Sequence, residues 1–109
     1  MRILLDECVH AGVRAAFPNH AVRTIVEVGW AGRKDKEFLP DAERAFDVFV
    51  TIDRKIEREN DLARFRLGFV IVRVKSNVIT SWMPIFDQVL DAAETVKPGE
   101  IIHVSAVGI

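Results

Sequence analysis

Five short runs of Ile, Val, Leu and Phe recur along the chain, each too brief for a helix and separated from the next by a longer stretch. They are Ile3–Leu5, Ala21–Ile25, Val48–Ile52, Phe69–Val74 and Ile101–Val104. Several are apolar at nearly every position, which is the pattern of strands buried on both faces rather than on one. Buried strands alternating with helices predict an α/β fold, a three-layer α/β/α sandwich around a five-stranded, mainly parallel sheet. With right-handed crossovers, the carboxyl ends of the parallel strands then share one edge.

The stretches between the runs carry helical spacing. Cys8 to Phe17 places Val9, Val13 and Ala16 on one face and stops before Pro18. A second helix begins near Asp35 and carries Phe38, Leu39, Ala42 and Phe46. Pro40 falls inside it, which predicts an irregular first turn or a start nearer Pro40. A shorter helix follows Asp53 and runs through Ala63. The last, Ser81 to Val96, turns Ile85, Val89, Ala92, Ala93 and Val96 inward and ends at Lys97-Pro98-Gly99.

The 109 residues suit a single domain with one packed interior. A chain that is 50% hydrophobic and 28% charged is a globular one, and its net charge of −1 gives no general attraction for nucleic acid. Binding of a polyanion would have to be local or metal-assisted. The single Cys8 excludes an intramolecular disulfide and a cysteine-rich zinc site, and it fits a reducing cytoplasm. The opening MRILLDEC is charged too early for a signal peptide, and no apolar run approaches a membrane span.

Polar residues gather where the strands end. Asp6-Glu7 follows the first strand, Thr51-Ile52-Asp53-Arg54 closes the third, and Ser76-Asn77 follows the fourth. Asp35 and Glu37 open the second helix after the Gly29-Trp30-Ala31-Gly32 turn. Each has an ordinary explanation: Asp6, Asp35 and Asp53 can cap helices, Glu37 suits a helix dipole, and Ser76-Asn77 can form a turn. Capping does not explain why Asp6 and Asp53 end different strands at one edge. Carboxylates brought together there repel unless a cation lies between them, and an oxygen-only donor set suits Mg²⁺ or Mn²⁺. His10, His20 and His103 show no ligand spacing, Cys8 has no evident base partner, and Trp30 and Trp82 read as packing anchors. Arg54, Lys55, Arg58, Arg64, Arg66 and Arg73 form a basic segment beside Asp53, either a solvated face or a phosphate contact.

Taken in order, ILLDEC, HAVRTIVEVGWAG with KDKEFL, FDVFVTIDR, ENDLARF, VIVRVKSN and KPGEIIHV resemble the DUF5615 family of PIN-like proteins. The likeness covers essentially the whole chain. It implies a PIN-like domain spanning residues 1–109, a bacterial protein of toxin–antitoxin type, and hydrolysis of RNA at an acidic Mg²⁺ or Mn²⁺ site. Asp6 and Asp53 are the implied metal and catalytic carboxylates, with Asp35 or Glu7 completing the shell. Arg54 is an implied phosphate contact, and Ser76 and Asn77 match a serine–asparagine pair after the fourth strand. Glu59-Asn60 falls where relatives often carry glutamine and asparagine. Cys8 stands where many relatives have Asn. The implied partners are RNA, a cognate antitoxin and a second copy of the chain, with no membrane.

Two rivals share the pattern. A phosphoacceptor domain of receiver type also sets acidic residues after strand one, an Asp after strand three and a Ser or Thr after strand four. It further needs a lysine after the last strand, and residues 101–109 contain none. A PIN-like binding module without catalysis is the other, and Cys8 in place of Asn speaks for it.

Overall fold

The computed structural model describes residues 1–106. Five strands form one all-parallel sheet: β1 (Arg2–Leu5), β2 (Ala21–Thr24), β3 (Val48–Thr51), β4 (Gly68–Arg73) and β5 (Ile101–Ser105), in the order β2-β1-β3-β4-β5. Each lies within a residue of its expected limits. β1, β3 and β4 are interior strands, and their side chains are buried from Ile3 to Leu5, Val48 to Thr51 and Gly68 to Val72. This is why their sequences do not alternate with polar residues.

Alternate strand residues enter two separate cores. Ile3, Leu5, Val48, Val50, Val70, Val72 and Val104 pack against the 3₁₀ helix Ala11–Ala16 and against the segment from Trp82 to Ala93. Leu4, Phe49, Phe69 and Ile71 face the other way, onto α1 (Asp35–Ala45), α2 (Ile56–Glu59) and the 3₁₀ turn Leu62–Arg64. The sandwich therefore has three layers. Full burial of an aromatic or leucine-sized side chain contributes about 1.5–3 kcal/mol, and Phe49, Phe69, Trp82 and Leu4 are all fully enclosed.

The last crossover departs from expectation. β5 lies beyond β4 in the direction that β4 lies beyond β3. Yet the β3–β4 connection covers the α1 face, whereas α3 (Ile79–Trp82) and α4 (Phe86–Thr95), joining β4 to β5, cover the opposite one. These two crossovers must have opposite hands, against the uniformly right-handed set expected from the sequence. Packing supplies the reason. The β1–β2 connection offers only a short 3₁₀ helix to its face, and Val48, Val50, Val70 and Val72 would stay wet without α4.

Helices differ more from expectation than strands do. Glu7 and Cys8 form a turn, closed by the Val9 N–H donating to Asp6 O at 3.0 Å, and Ala11–Ala16 is 3₁₀ rather than α, capped by His10, whose ring accepts the Gly12 N–H at 2.9 Å. The apolar residues Val13 and Ala16 still point inward, because their spacing of three suits a 3₁₀ turn. α1 starts at Asp35 and runs through Pro40 without breaking. The carbonyl that proline leaves unpartnered belongs to exposed Lys36, in the first turn, where water can serve it. The final helix divides into α3, the 3₁₀ turn Met83–Ile85 and α4. No helix among the described residues is long and apolar enough to cross a membrane.

Candidate active site

β1 and β3 are neighbours whose onward connections leave in opposite directions, toward β2 and toward β4. Such a switch point opens a crevice beyond the carboxyl ends of the strands. Asp6 and Asp53 stand there. The Asp6 N–H continues the ladder one residue past β1 by donating to Val50 O at 2.9 Å. That bond fixes the direction of its side chain.

Thr51 joins the two loops. Its side chain is the one buried polar group of the described interior, with 0% exposure. The hydroxyl donates to Asp6 Oδ2 at 2.6 Å and accepts the Asp53 N–H at 3.0 Å. The Asp6 carboxylate also accepts from Glu7 N at 2.7 Å and from the Cys8 thiol at 3.5 Å. Asp6 therefore caps no helix, contrary to the simplest expectation for it. Asp53 accepts from Lys55 N at 2.9 Å, a turn contact ahead of α2.

Asp35 reaches the same crevice by a different route. Gly29 and Gly32 adopt positive φ, 81° and 82°, conformations that side chains disfavour, and fold the segment back toward β1. The Gly32 N–H then donates to Glu7 Oε1 at 3.2 Å. Trp30 packs on Phe38 and Phe46 with ring centroids 6.3 and 6.2 Å away, anchoring the turn to α1. Lys34 is the N-cap of that helix, and its N–H donates to Glu37 Oε1 at 2.9 Å. Asp35 is thus not the cap, and Glu37, occupied at the helix start, does not line the crevice.

Asp6, Glu7, Asp35 and Asp53 line one open cleft of about 470 Å³, together with Cys8, Arg33, Phe38 and Ile52. Its charges are in conflict. Burial pushes the Asp6 carboxyl above its usual range, aided by the Asp53 charge and partly offset by the Thr51, Glu7 and Cys8 hydrogen bonds. Asp35 is raised by burial and then by Asp6, Asp53 and Glu59, against a hydrogen bond from Asn60. Burial and the Asp6 charge raise the Cys8 thiol, which suits a packed residue and not a nucleophile.

The donor chemistry fits a hard divalent cation. Among the described residues no three His, Cys, Asp or Glu side chains form a ready-made cage. Mg²⁺ seldom needs one, since it keeps several waters and takes one or two carboxylates plus substrate oxygens.

Other expected site residues go elsewhere. Arg54 lines a separate pocket with Arg73 and His103. Ser76 is exposed and does not line the cleft. Asn77 is a brace: its amide donates to Cys8 O at 2.6 Å, and its oxygen accepts from His10 N at 3.2 Å and Trp82 Nε1 at 3.1 Å. A residue so engaged holds the Cys8 loop against α3 and has little left for substrate. Two further contributors, Thr51 and Arg33, have no role in the sequence expectations. Thr51 had a visible signal, a hydroxyl ending an otherwise apolar strand. Arg33 had none, because its place depends on the glycine turn. No protein-family model, no curated protein and no solved structure matches the chain.

Proposed function

We propose that this chain is a metal-dependent ribonuclease of PIN-like type that hydrolyses RNA phosphodiesters in the acidic cleft. The observation carrying the proposal is that Asp6, Asp35 and Asp53, from three different elements, line one cleft, where burial and neighbouring carboxylate charge raise the Asp6 and Asp35 carboxyls above their usual range. Capping accounts for neither Asp6 nor Asp35. The resemblance of the ordered motifs to DUF5615 proteins supports the same reading and adds a toxin role, with a cognate antitoxin as protein partner. The lone cysteine accords with a cytoplasmic location.

In this reading Asp6 and Asp53 hold Mg²⁺ or Mn²⁺, with Glu7 or Asp35 beside them. The bound ion would neutralise charge on the attacked phosphodiester and make water more acidic. Asp35, whose proton affinity is raised, is suited to hold or pass a proton at its carboxylate. Arg33 lines the cleft while one of its nitrogens donates to Asp41 Oδ2 at 3.1 Å and to Glu37 O at 2.7 Å, and its remaining N–H groups would face a substrate phosphate. Thr51 keeps the Asp6 and Asp53 loops in fixed relation, and the Asn77 brace fixes the adjoining Cys8 loop.

The test is cleavage of RNA by purified protein with Mn²⁺ and with EDTA. Asp53→Asn should lower the rate by about two to three orders of magnitude. Equal activity in wild type and variant would identify a contaminating nuclease and overturn the proposal. Silence of both on every substrate would favour the non-catalytic binding module.

A second reading has one observation in its favour. The strand order 2-1-3-4-5 is that of doubly wound domains such as the receiver type. Residues 101–109 lack the lysine it needs. Incorporation of phosphate at Asp53 from a small phosphodonor would establish it.

A further inference from the structure

The reversed crossover leaves one part of the sheet bare. β4 and β5 pair with Ile71 opposite His103 and Arg73 opposite Ser105. These side chains share the α2 face, since strand residues two apart point the same way. α4 covers the other face, and α2 is only four residues long. His103 and Ser105 are accordingly exposed beside Arg73. Arg54 enters from the β3–α2 turn, and these residues line a pocket of about 230 Å³ floored by Ile71.

Its charge is unbalanced. Among the described residues no carboxylate lines the pocket. The neighbouring Glu57 is engaged by His103, with Nε2 and Oε1 2.8 Å apart. Neither Arg54 nor Arg73 has a carboxylate partner among the described residues. Two guanidinium groups at one concavity repel each other, and a tetrahedral oxyanion is the ligand that relieves both with paired N–H···O contacts.

We infer that the pocket formed by Arg54, Arg73 and His103 at the carboxyl ends of β3, β4 and β5 binds a phosphate group, apart from the acidic cleft. The site does not depend on the nuclease reading. Its ligand is either a backbone phosphate of a polynucleotide or a small phosphate-bearing molecule.

The experiment uses the full chain in EDTA, so that cleavage chemistry plays no part. Inorganic phosphate is titrated while the His103 imidazole resonances are followed by NMR. A saturable shift is expected, and Arg73→Ala or Arg54→Ala should weaken it about tenfold or more. Arg44→Ala, a change on the exposed end of α1, should leave it unaltered. A short single-stranded oligonucleotide that displaces the phosphate identifies the polynucleotide source. Binding of phosphate without such competition identifies a small ligand. Absence of a saturable shift overturns the proposal, as does a shift undiminished in the Arg54→Ala, Arg73→Ala double variant when its NMR spectrum is otherwise native.

Discussion

β1 and β3 carry an aspartate at each end of their shared ladder, and the two ends treat it oppositely. At the amino end, Asp47 precedes β3 and meets Arg2, the first residue of β1. Arg2 donates its backbone N–H to Asp47 Oδ2 at 2.7 Å and its guanidinium to Asp47 Oδ1 at 3.3 Å. Those contacts, the backbone one foremost, hold the Asp47 carboxyl below its usual range. At the carboxyl end, Asp6 and Asp53 meet across Thr51, and among the described residues no basic side chain is bonded to either. There Asp6 is raised. One pair of strands thus supplies a neutralised carboxylate and an unneutralised one. An arginine is bonded to the aspartate at the amino end, whereas Arg33 lines the carboxyl-end cleft but pairs with Asp41, and the repulsion that remains there is what a bound cation would relieve.

The largest stability effect should come from Thr51→Val, which keeps the shape of the side chain but strips a buried hydroxyl from Asp6 and from the Asp53 N–H. Leaving those groups unpaired should cost about 1–3 kcal/mol, read by urea denaturation. A loss near zero would mean that the two loops are not coupled through this hydroxyl.

Asp47→Asn should be milder, a loss of about 0.5–1 kcal/mol at neutral pH, because its partners are largely exposed. The sign of its pH dependence follows from the lowered proton affinity. The ion pair stabilises the fold above the ordinary carboxylate range and ceases to do so as pH falls through the depressed one. Wild type and variant should therefore converge in acid.

Asp35→Asn should act in the opposite direction, and least. With chelator present it should raise Tm by about 1–2 °C at neutral pH, since a charge disfavoured by burial and by its neighbours is removed. Protonation of Asp35 gives the same relief, so this gain should vanish as pH drops below the ordinary carboxylate range. A lower Tm for Asp35→Asn at neutral pH, in thermal melts followed by circular dichroism, would show that the two ends of the ladder do not differ as described.

What could be read from sequence follows the same division. The strands were readable because interior parallel strands must be apolar throughout, and Ile3–Leu5 or Phe69–Val72 admits little else. The meeting of Asp6 and Asp53 was readable for the same reason, as residues that follow buried parallel strands share an edge. The helix types were not. Val13 and Ala16 satisfy an α or a 3₁₀ pattern, and the choice is made by contacts distant in sequence, such as Asn77 holding Cys8 and His10. The side of the sheet taken by α4 depends on which face the earlier connections leave bare, a property of the assembled layers. Adjacency to Asp53 predicts Arg54 in the cleft, yet consecutive residues in a turn can point into different pockets, and Arg54 lines the one with Arg73 and His103.

We propose that the carboxyl-end aspartates form a site for a divalent cation. Its most direct test is the melting temperature of wild type, Asp6→Asn, Asp53→Asn and Asp47→Asn across a Mg²⁺ and Mn²⁺ titration against EDTA. An ion at ten times its dissociation constant should stabilise the native state by about 1.4 kcal/mol, a rise of about 5 °C or more. Wild type and Asp47→Asn should show that rise, and Asp6→Asn and Asp53→Asn should lose most of it. A flat titration in wild type, or an equal rise in all four proteins, would contradict the claim.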